Sequence, residues 1–291
     1  MELTRPVVRA RGASPTAARK AGAWRRFFRQ PVGVIGLALF LLLVVAAAGA
    51  DRFAPYNPFA ISDDVLLAPS PAHPLGTDDV GRDIFSAILH GARVSLLVGL
   101  ASTALATLIG IAIGGVAGFV GGRVDDLLMR LTELFQVLPR FFLALIVVAL
   151  LGSNVWLIVL LLGLTLWTGT ARLLRSQVLS LRTREYVLAA RMIGVSEPMI
   201  LLRHVLPGAL PPVVTHAALQ VGSAILIEAS LSFLGMGDRN VVSWGALLND
   251  AQQFVREAWW MSAFPGLAIT LTVLALNLMA DALNEAFNPR L

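Results

Sequence analysis

The sequence predicts an all-α membrane protein with six transmembrane helices, on three observations. The 291 residues are 57% hydrophobic, with a mean hydropathy of +0.76. Only 14% are charged, against about 25% in an ordinary soluble domain. The charges are also clustered, leaving uncharged runs of about 20 residues, the length a hydrocarbon core of about 30 Å requires. The length is therefore that of a bundle of spans and not of two soluble domains.

The elements follow in order. Residues 1–31 form an Arg-rich segment holding eight basic residues. It is expected to start disordered and to end along the headgroups at Trp24-Arg-Arg-Phe-Phe-Arg29. The apolar run that follows is too long for a signal peptide, and no small-residue cleavage site ends it before Asp51. The first span is 32–50. Residues 51–93 make a Pro- and Asp-rich loop, too long and irregular for a tight turn.

Residues 94–281 hold five more spans. The second, 94–120, carries Gly114 and Gly118 as a G-x-x-x-G that permits close helix packing, a pattern common by chance in apolar runs. The third, 127–151, contains Glu133, Pro139 and Arg140 and must be kinked or partly interfacial. The fourth is 155–174, followed by a polar interior loop to residue 210. The fifth, 212–234, contains Glu228. A loop at 235–258 precedes the sixth span, 259–280, and 282–291 is a polar tail.

Orientation is read from the arginines. With the N-terminus inside, the inner segments hold seventeen basic residues and the outer loops four. Such a bias places both termini in the cytoplasm. The outer loops also carry Asp63, Asp64, Asp78, Asp79 and Asp83, which suits an aqueous face.

Composition excludes several classes. There is no cysteine, hence no disulfide, thiolate metal site or cysteine nucleophile. His73, His90, His204 and His216 show no ligand spacing. Lys20, the single lysine, follows no glycine-rich turn, so the chain has no Walker A motif. The net charge of +5 flanks apolar spans, which favours membrane topology over nucleic acid.

Residues 183–207 stand out as a polar, helix-forming segment between apolar spans. Glu185-Tyr-Val-Leu-Ala-Ala-Arg-Met-Ile-Gly194 reads as a helix ended by a C-cap glycine. Ala189 and Ala190 would let another surface approach closely. Val195 follows, and Ser196-Glu-Pro198 begins a second helical turn. Leu206-Pro207 closes the segment before the fifth span. An ordinary amphipathic interfacial helix is the plainer alternative.

This pattern resembles the coupling loop of ABC-importer permeases: Glu-Ala-Ala, three residues, Gly, nine residues, then an apolar position two before Leu-Pro. Ala189-Ala190, Gly194 and Leu206-Pro207 match it. Leu188 stands where the family has Glu, and His204 where it has an apolar residue. Glu185 is nearly a turn away and does not replace that Glu. On the resemblance, Glu185, Leu188, Ala189, Ala190, Arg191, Gly194, Val195, Ser196, His204, Leu206 and Pro207 form the ATPase-coupling surface.

Other stretches resemble the dipeptide/oligopeptide/nickel subfamily, in particular the second of its two permeases. They are His73-Pro-Leu-Gly-Thr-Asp-Asp-Val-Gly-Arg-Asp83, Gly91-Ala-Arg-Val-Ser-Leu-Leu-Val-Gly99, Glu228-Ala-Ser-Leu-Ser-Phe-Leu-Gly235, Ser243-Trp-Gly245, Phe264-Pro-Gly266 and Asn288-Pro-Arg290. The first, through His73, Pro74, Leu75, Gly76, Thr77, Asp78, Arg82 and Asp83, is implied to meet a binding protein. From the residues alone it is simply a loop.

Glu228 is a carboxylate within a span, which is functional by default. Its sharing across the family favours a structural or gating role over substrate contact. Gln220 and Ser223 are candidates for the same path. Glu133 and Arg140, about two turns apart and so on one helical face but too far apart to pair directly, are candidates for the cytoplasmic part of the pore.

The resemblance implies the type I ABC-importer permease fold, a second homologous permease and two peripheral ATPases. It also implies an extracytoplasmic solute-binding protein. ATP and Mg would be bound by the ATPases, with no cofactor in this chain and lipid around it. Di- or oligopeptides lead as cargo, ahead of nickel chelates, glutathione or opine-like solutes. An ion-coupled secondary transporter would need internal repeats and more buried charges. An intramembrane enzyme would need a nucleophile–base or metal set that this sequence does not present.

Overall fold

The computed structural model describes residue 22 and residues 24–287. The Arg-rich start at 1–21 and the Asn288-Pro-Arg290 ending therefore lie outside the described residues. The fold is carried by the α-helices α1 Pro31–Ala48, α2 Ala50–Phe53, α3 Ile84–Val120, α4 Gly122–Val137, α5 Arg140–Leu151, α6 Val155–Leu181, α7 Glu185–Met192, α8 Glu197–Ile200, α9 Leu206–Leu231, α10 Trp244–Ala251 and α11 Trp260–Phe287. A π-helical stretch, Leu201–Val205, joins α8 to α9 without a break. Helices α1, α3, α6 and α11, and the run Glu197–Met236 that contains α9, are long and apolar enough to cross a membrane. The pair α4/α5 is bent by 73° and makes the sixth span when counted as one.

That bend is the expected kink, and its cause is Pro139, which stands as the N-cap of α5 with extended backbone. It revises one expectation. Glu133 and Arg140 do not share a helical face, because the break falls between them. Glu133 is exposed, and Arg140 is partly buried against α6, its Nη2 3.3 Å from Thr168 Oγ1.

Several helices outrun the expected spans. The 37 residues of α3 extend about 55 Å, so part of the helix extends past a hydrocarbon core of about 30 Å. Asp83 starts it by accepting a hydrogen bond from Ser86 N at 2.8 Å. His90 and Arg93 sit near its start, where apolar-run reasoning sees loop. The fourth helix likewise runs on to Leu181, and the fifth starts at Leu206 instead of 212. The expected loop 235–258 contains α10, whose Trp244, Leu247 and Ala251 are buried.

The centre of the bundle is α3 against α6. A Cβ on Gly114 would stand 2.2 Å from Ala171 O, and one on Gly118 2.8 Å from Arg175 O. The G-x-x-x-G thus sets the backbone separation. At the Arg-rich end, Arg175 grips Asp125 of α4 with two hydrogen bonds, at 2.5 and 2.6 Å. Arg182 Nη1 donates to the carbonyls of Gly118 and Phe119, capping the end of α3. Helix α1 packs mainly on α11 and leaves Ile35, Leu41, Leu42 and Val45 exposed, as a lipid-facing helix would.

Candidate functional site

The loop at 183–207 is a small folded unit. Val187 and Ala190, three apart on α7, face inward onto Ile200, Val205, Ala209 and Val213. Gly194, at φ +79°, ends the helix. Its N–H donates to Arg191 O, and Val195 N–H to Ala190 O, the double closure of a Schellman motif. Arg191 then clamps Glu197 of α8 with two hydrogen bonds of 2.7 and 2.9 Å. The pair is solvent-exposed, so it fixes geometry more than it stabilises.

This folding divides the expected coupling residues. Ala190 is only 6% exposed. It holds the loop together and does not belong to an outward surface. Glu185, Leu188, Ala189, Arg191, Gly194 and Ser196 face outward, and Val195 partly so. The most exposed apolar groups are Met192 and Ile193, at 88% and 81%. The sequence offers one signal for them: two large apolar residues immediately before a C-cap glycine. His204 is partly buried in the π stretch, its carbonyl accepting from Tyr186 Oη at 3.4 Å. Leu206 and Pro207 form the first turn of α9 and continue the chain without closing it.

The second site lies where α3, α9 and α10 cross. Glu228 is 2% exposed. Ser232 Oγ donates to it at 2.7 Å and Ser95 Oγ at 3.3 Å. Ser95 in turn accepts from Trp244 N, and Trp244 Nε1 donates to Ile88 O. Three sequence stretches, 91–99, 228–235 and 243–245, thus meet around one carboxylate. Ser95 and Trp244 were missed because a serine in an apolar run and a tryptophan in a supposed loop carry no individual signal. Gln220 is also buried and fully engaged: its amide donates to Leu166 O and its carbonyl accepts from Thr170. Ser223 is exposed on the same helix.

The third site is the stretch His73–Asp83 at the opposite end. Its polar residues point inward: His73, Thr77, Asp78 and Asp83 are all buried. Asp83 accepts from Ser86 N and Oγ and lies 2.9 Å from His73 Nδ1. The ring of Tyr56 stacks on His73 at 4.9 Å. Thr77 O accepts from Trp260 Nε1, and Gly76 is pressed against the same indole. Arg82 bridges Asp78, at 2.5 Å, and Asp250, at 2.9 Å. Burial pushes the Asp250 carboxyl above its ordinary range, and Arg82 offsets part of that. Of the eight candidate contact residues only Pro74 is fully exposed, with Leu75 and Arg82 partly so. The stretch turns most of these side chains inward. The surface it supports is the preceding segment, where Phe59 and Ile61 are exposed. Between the two lies a cleft of 350 Å³ with Phe59 and Arg82 on its walls and Ser232, the partner of Glu228, among its lining.

Among the described residues no group of three His, Cys, Asp or Glu is placed to hold a metal ion. A polytopic helical bundle, one broken span and an apolar-tipped loop at one end define the class: a multi-span helical membrane protein. The chain belongs to the family of binding-protein-dependent transport system inner membrane components, whose model matches residues 110–291. Residues 21–69 match the N-terminal TM domain of oligopeptide transport permease C. The dipeptide transport system permease protein DppC of Bacillus subtilis is 36% identical over 280 residues, 95% of this chain and 88% of that one. The glutathione transport system permease protein GsiD of Pectobacterium atrosepticum is 40% identical over 271 residues, 92% and 90%. The oligopeptide transport system permease protein OppC of Haemophilus influenzae is 36% identical over 273 residues, 92% and 88%. The protein is therefore a multi-pass inner-membrane permease subunit of a binding-protein-dependent transport system.

Proposed function

We propose that this chain forms half of the translocation pore of an ATP-driven importer of di- or oligopeptides, with the Arg-rich end and both termini in the cytoplasm. A second homologous permease completes the pore. Two ATPase subunits, which bind ATP and Mg, dock beneath the loop at 183–207, and a binding protein delivers cargo at the opposite end. The observation that carries this reading is the exposed Met192–Ile193 tip on a loop made rigid by Gly194 and the Arg191–Glu197 pair. Apolar groups presented on a fixed frame suit burial by a partner. Closure of the ATPases would push this frame, and α8 passes the push directly into α9 through the continuous helix Glu197–Met236.

The peptide cargo is supported by the names of relatives such as the dipeptide and oligopeptide permeases. The relative named for glutathione supports a second reading within the same class, a small peptide-like thiol.

Mild-detergent isolation of the tagged chain from its native membrane, with mass spectrometry of what co-purifies, tests the assembly. Recovery of a second six-span protein with Walker-A ATPases supports the proposal. The chain alone, stable and monodisperse, would return the ion-coupled transporter to the front.

A further inference from the structure

One cluster of charges remains unused by the sites above. Arg140 opens α5 just after the bend, with its Nη2 3.3 Å from Thr168 Oγ1. Arg172 stands one turn further along α6 and lies within electrostatic range of Arg140. His216 of α9 feels the Arg140 charge as well. Its Nε2 lies 3.1 Å from where a Cβ on Gly169 would stand, so the ring rests on the α6 backbone beside Thr168. Arg140 and His216 are partly buried and Arg172 is exposed. Neither arginine forms an ion pair with a carboxylate among the described residues, whereas Arg82, Arg93, Arg175 and Arg191 all do.

Two like charges on spanning helices, without a counter-ion, are costly unless water or an anion reaches them. The face of α9 beside them is mixed, with Leu219 and Leu226 exposed on it beside two serines. His216, Ser223 and Ser230 recur at seven-residue spacing along α9, about two turns each, so they fall on one stripe. Both serines are exposed. A face that alternates serine with leucine and ends in basic groups offers an anion-attracting floor that water can reach.

We propose that Arg140, Arg172 and His216 form an oxyanion site at the foot of this stripe that takes the carboxylate of passing cargo. The proposal rests on the permease reading, and it deepens Arg140 and Ser223 as path residues while leaving Glu133 out. Arg140 supplies a planar fork suited to a carboxylate, Arg172 a second charge, and the imidazole a hydrogen-bond donor. A lipid phosphate offers the same oxyanion chemistry from the bilayer side, and the test separates the two.

The chain has no cysteine, so a single one reports cleanly. Leu219→Cys, three residues from His216 and exposed, is placed in the complex purified from its native membrane and reconstituted. Its reaction with anionic and cationic methanethiosulfonates is followed by the mass of this chain. The anionic reagent should react about tenfold faster, as in a focused positive field. That preference should fall toward parity in Arg140→Gln and, should that variant not assemble, in Arg172→Gln. Millimolar Ala-Ala free acid should slow labelling, and its C-terminal amide should not. Equal rates with both reagents, a preference unchanged by the Gln variants, or no protection by the acid overturns the proposal. So does failure of both reagents to react, the outcome expected where lipid or another subunit covers the site. Because labelling reads the site without transport, its failure is distinct from the absence of ATPase partners in the isolation experiment.

Discussion

The stretch His73–Asp83 and the loop 183–207 lie at opposite ends of the bundle and invert each other's chemistry. The first is rich in polar residues and hides them; the second is tipped with apolar residues and exposes them. In the first, each buried polar group has a partner, as a scaffold requires. In the second, Met192 and Ile193 have none and lie open to solvent. A recognisable motif therefore says nothing by itself about which residues meet a partner. What separates the two ends is whether the side chains are already satisfied within the chain.

The largest effect expected from this contrast is at Asp83. Asp83→Ala leaves Ser86 N, Ser86 Oγ and the His73 ring without their acceptor inside a buried site. Losing one partner of such a buried set costs about 3–5 kcal/mol. The α3 N-terminus and the segment from 62 to 83 should loosen together, read as a lowered midpoint of thermal unfolding and faster hydrogen exchange in both. Pro74→Ser, at the exposed residue of the same stretch, should stay within about 0.5 kcal/mol of the wild type. Equal behaviour of the two variants would mean that the stretch is a contact surface after all.

A middle-sized effect sharpens the other end. Ala190→Trp inserts an indole among Val187, Ile200 and Val205, and overpacking of this kind costs about 1–3 kcal/mol. Ala189→Trp, one residue away and facing out, should leave the unfolding midpoint within about 0.5 kcal/mol while abolishing uptake in cells. If Ala190→Trp keeps wild-type stability and Ala189→Trp keeps uptake, the inward and outward faces of α7 have been misassigned.

Much of the architecture was readable beforehand, because long apolar runs and arginine clusters are strong, local signals. The kink at Pro139 and the helix end at Gly194 were legible for the same reason: each rests on one residue's backbone limits. What escaped was of two kinds. Helix ends beyond the apolar runs, as at Ile84 and Leu181, are set by caps and partners such as Asp83 and Gly118 O, which hydropathy does not register. The surroundings of Glu228 depend on Ser95 and Trp244, which lie 133 and 149 residues apart from their partners in the chain. No local pattern announces such a meeting. Gln220 was seen as a path residue because it is polar in a span, yet both ends of its amide are already bound to α6.

The smallest effect concerns a latch that belongs to neither end motif. Asp51 accepts from Arg93 at 2.8 and 3.0 Å and lies 3.2 Å from His90 Nε2, tying α2 to the extension of α3. Its hydrogen bond with Arg93, with His90 assisting, holds the Asp51 carboxyl below its ordinary value of 3.8 despite the opposing effect of desolvation. A carboxylate whose folded value is depressed contributes stability that is fully present above the unfolded value. That contribution is lost as pH falls through the lower, folded value. Asp51 is itself exposed, so solvent screens the pair and the effect is slight. Unfolding midpoints of wild type and Asp51→Asn should differ at neutral pH and converge as pH drops below 3.8. A difference that persists at the lowest pH would show that Asp51 acts through packing and not through its charge. The latch would then resemble the buried polar scaffold beside it more than the exposed ion pair at Arg191.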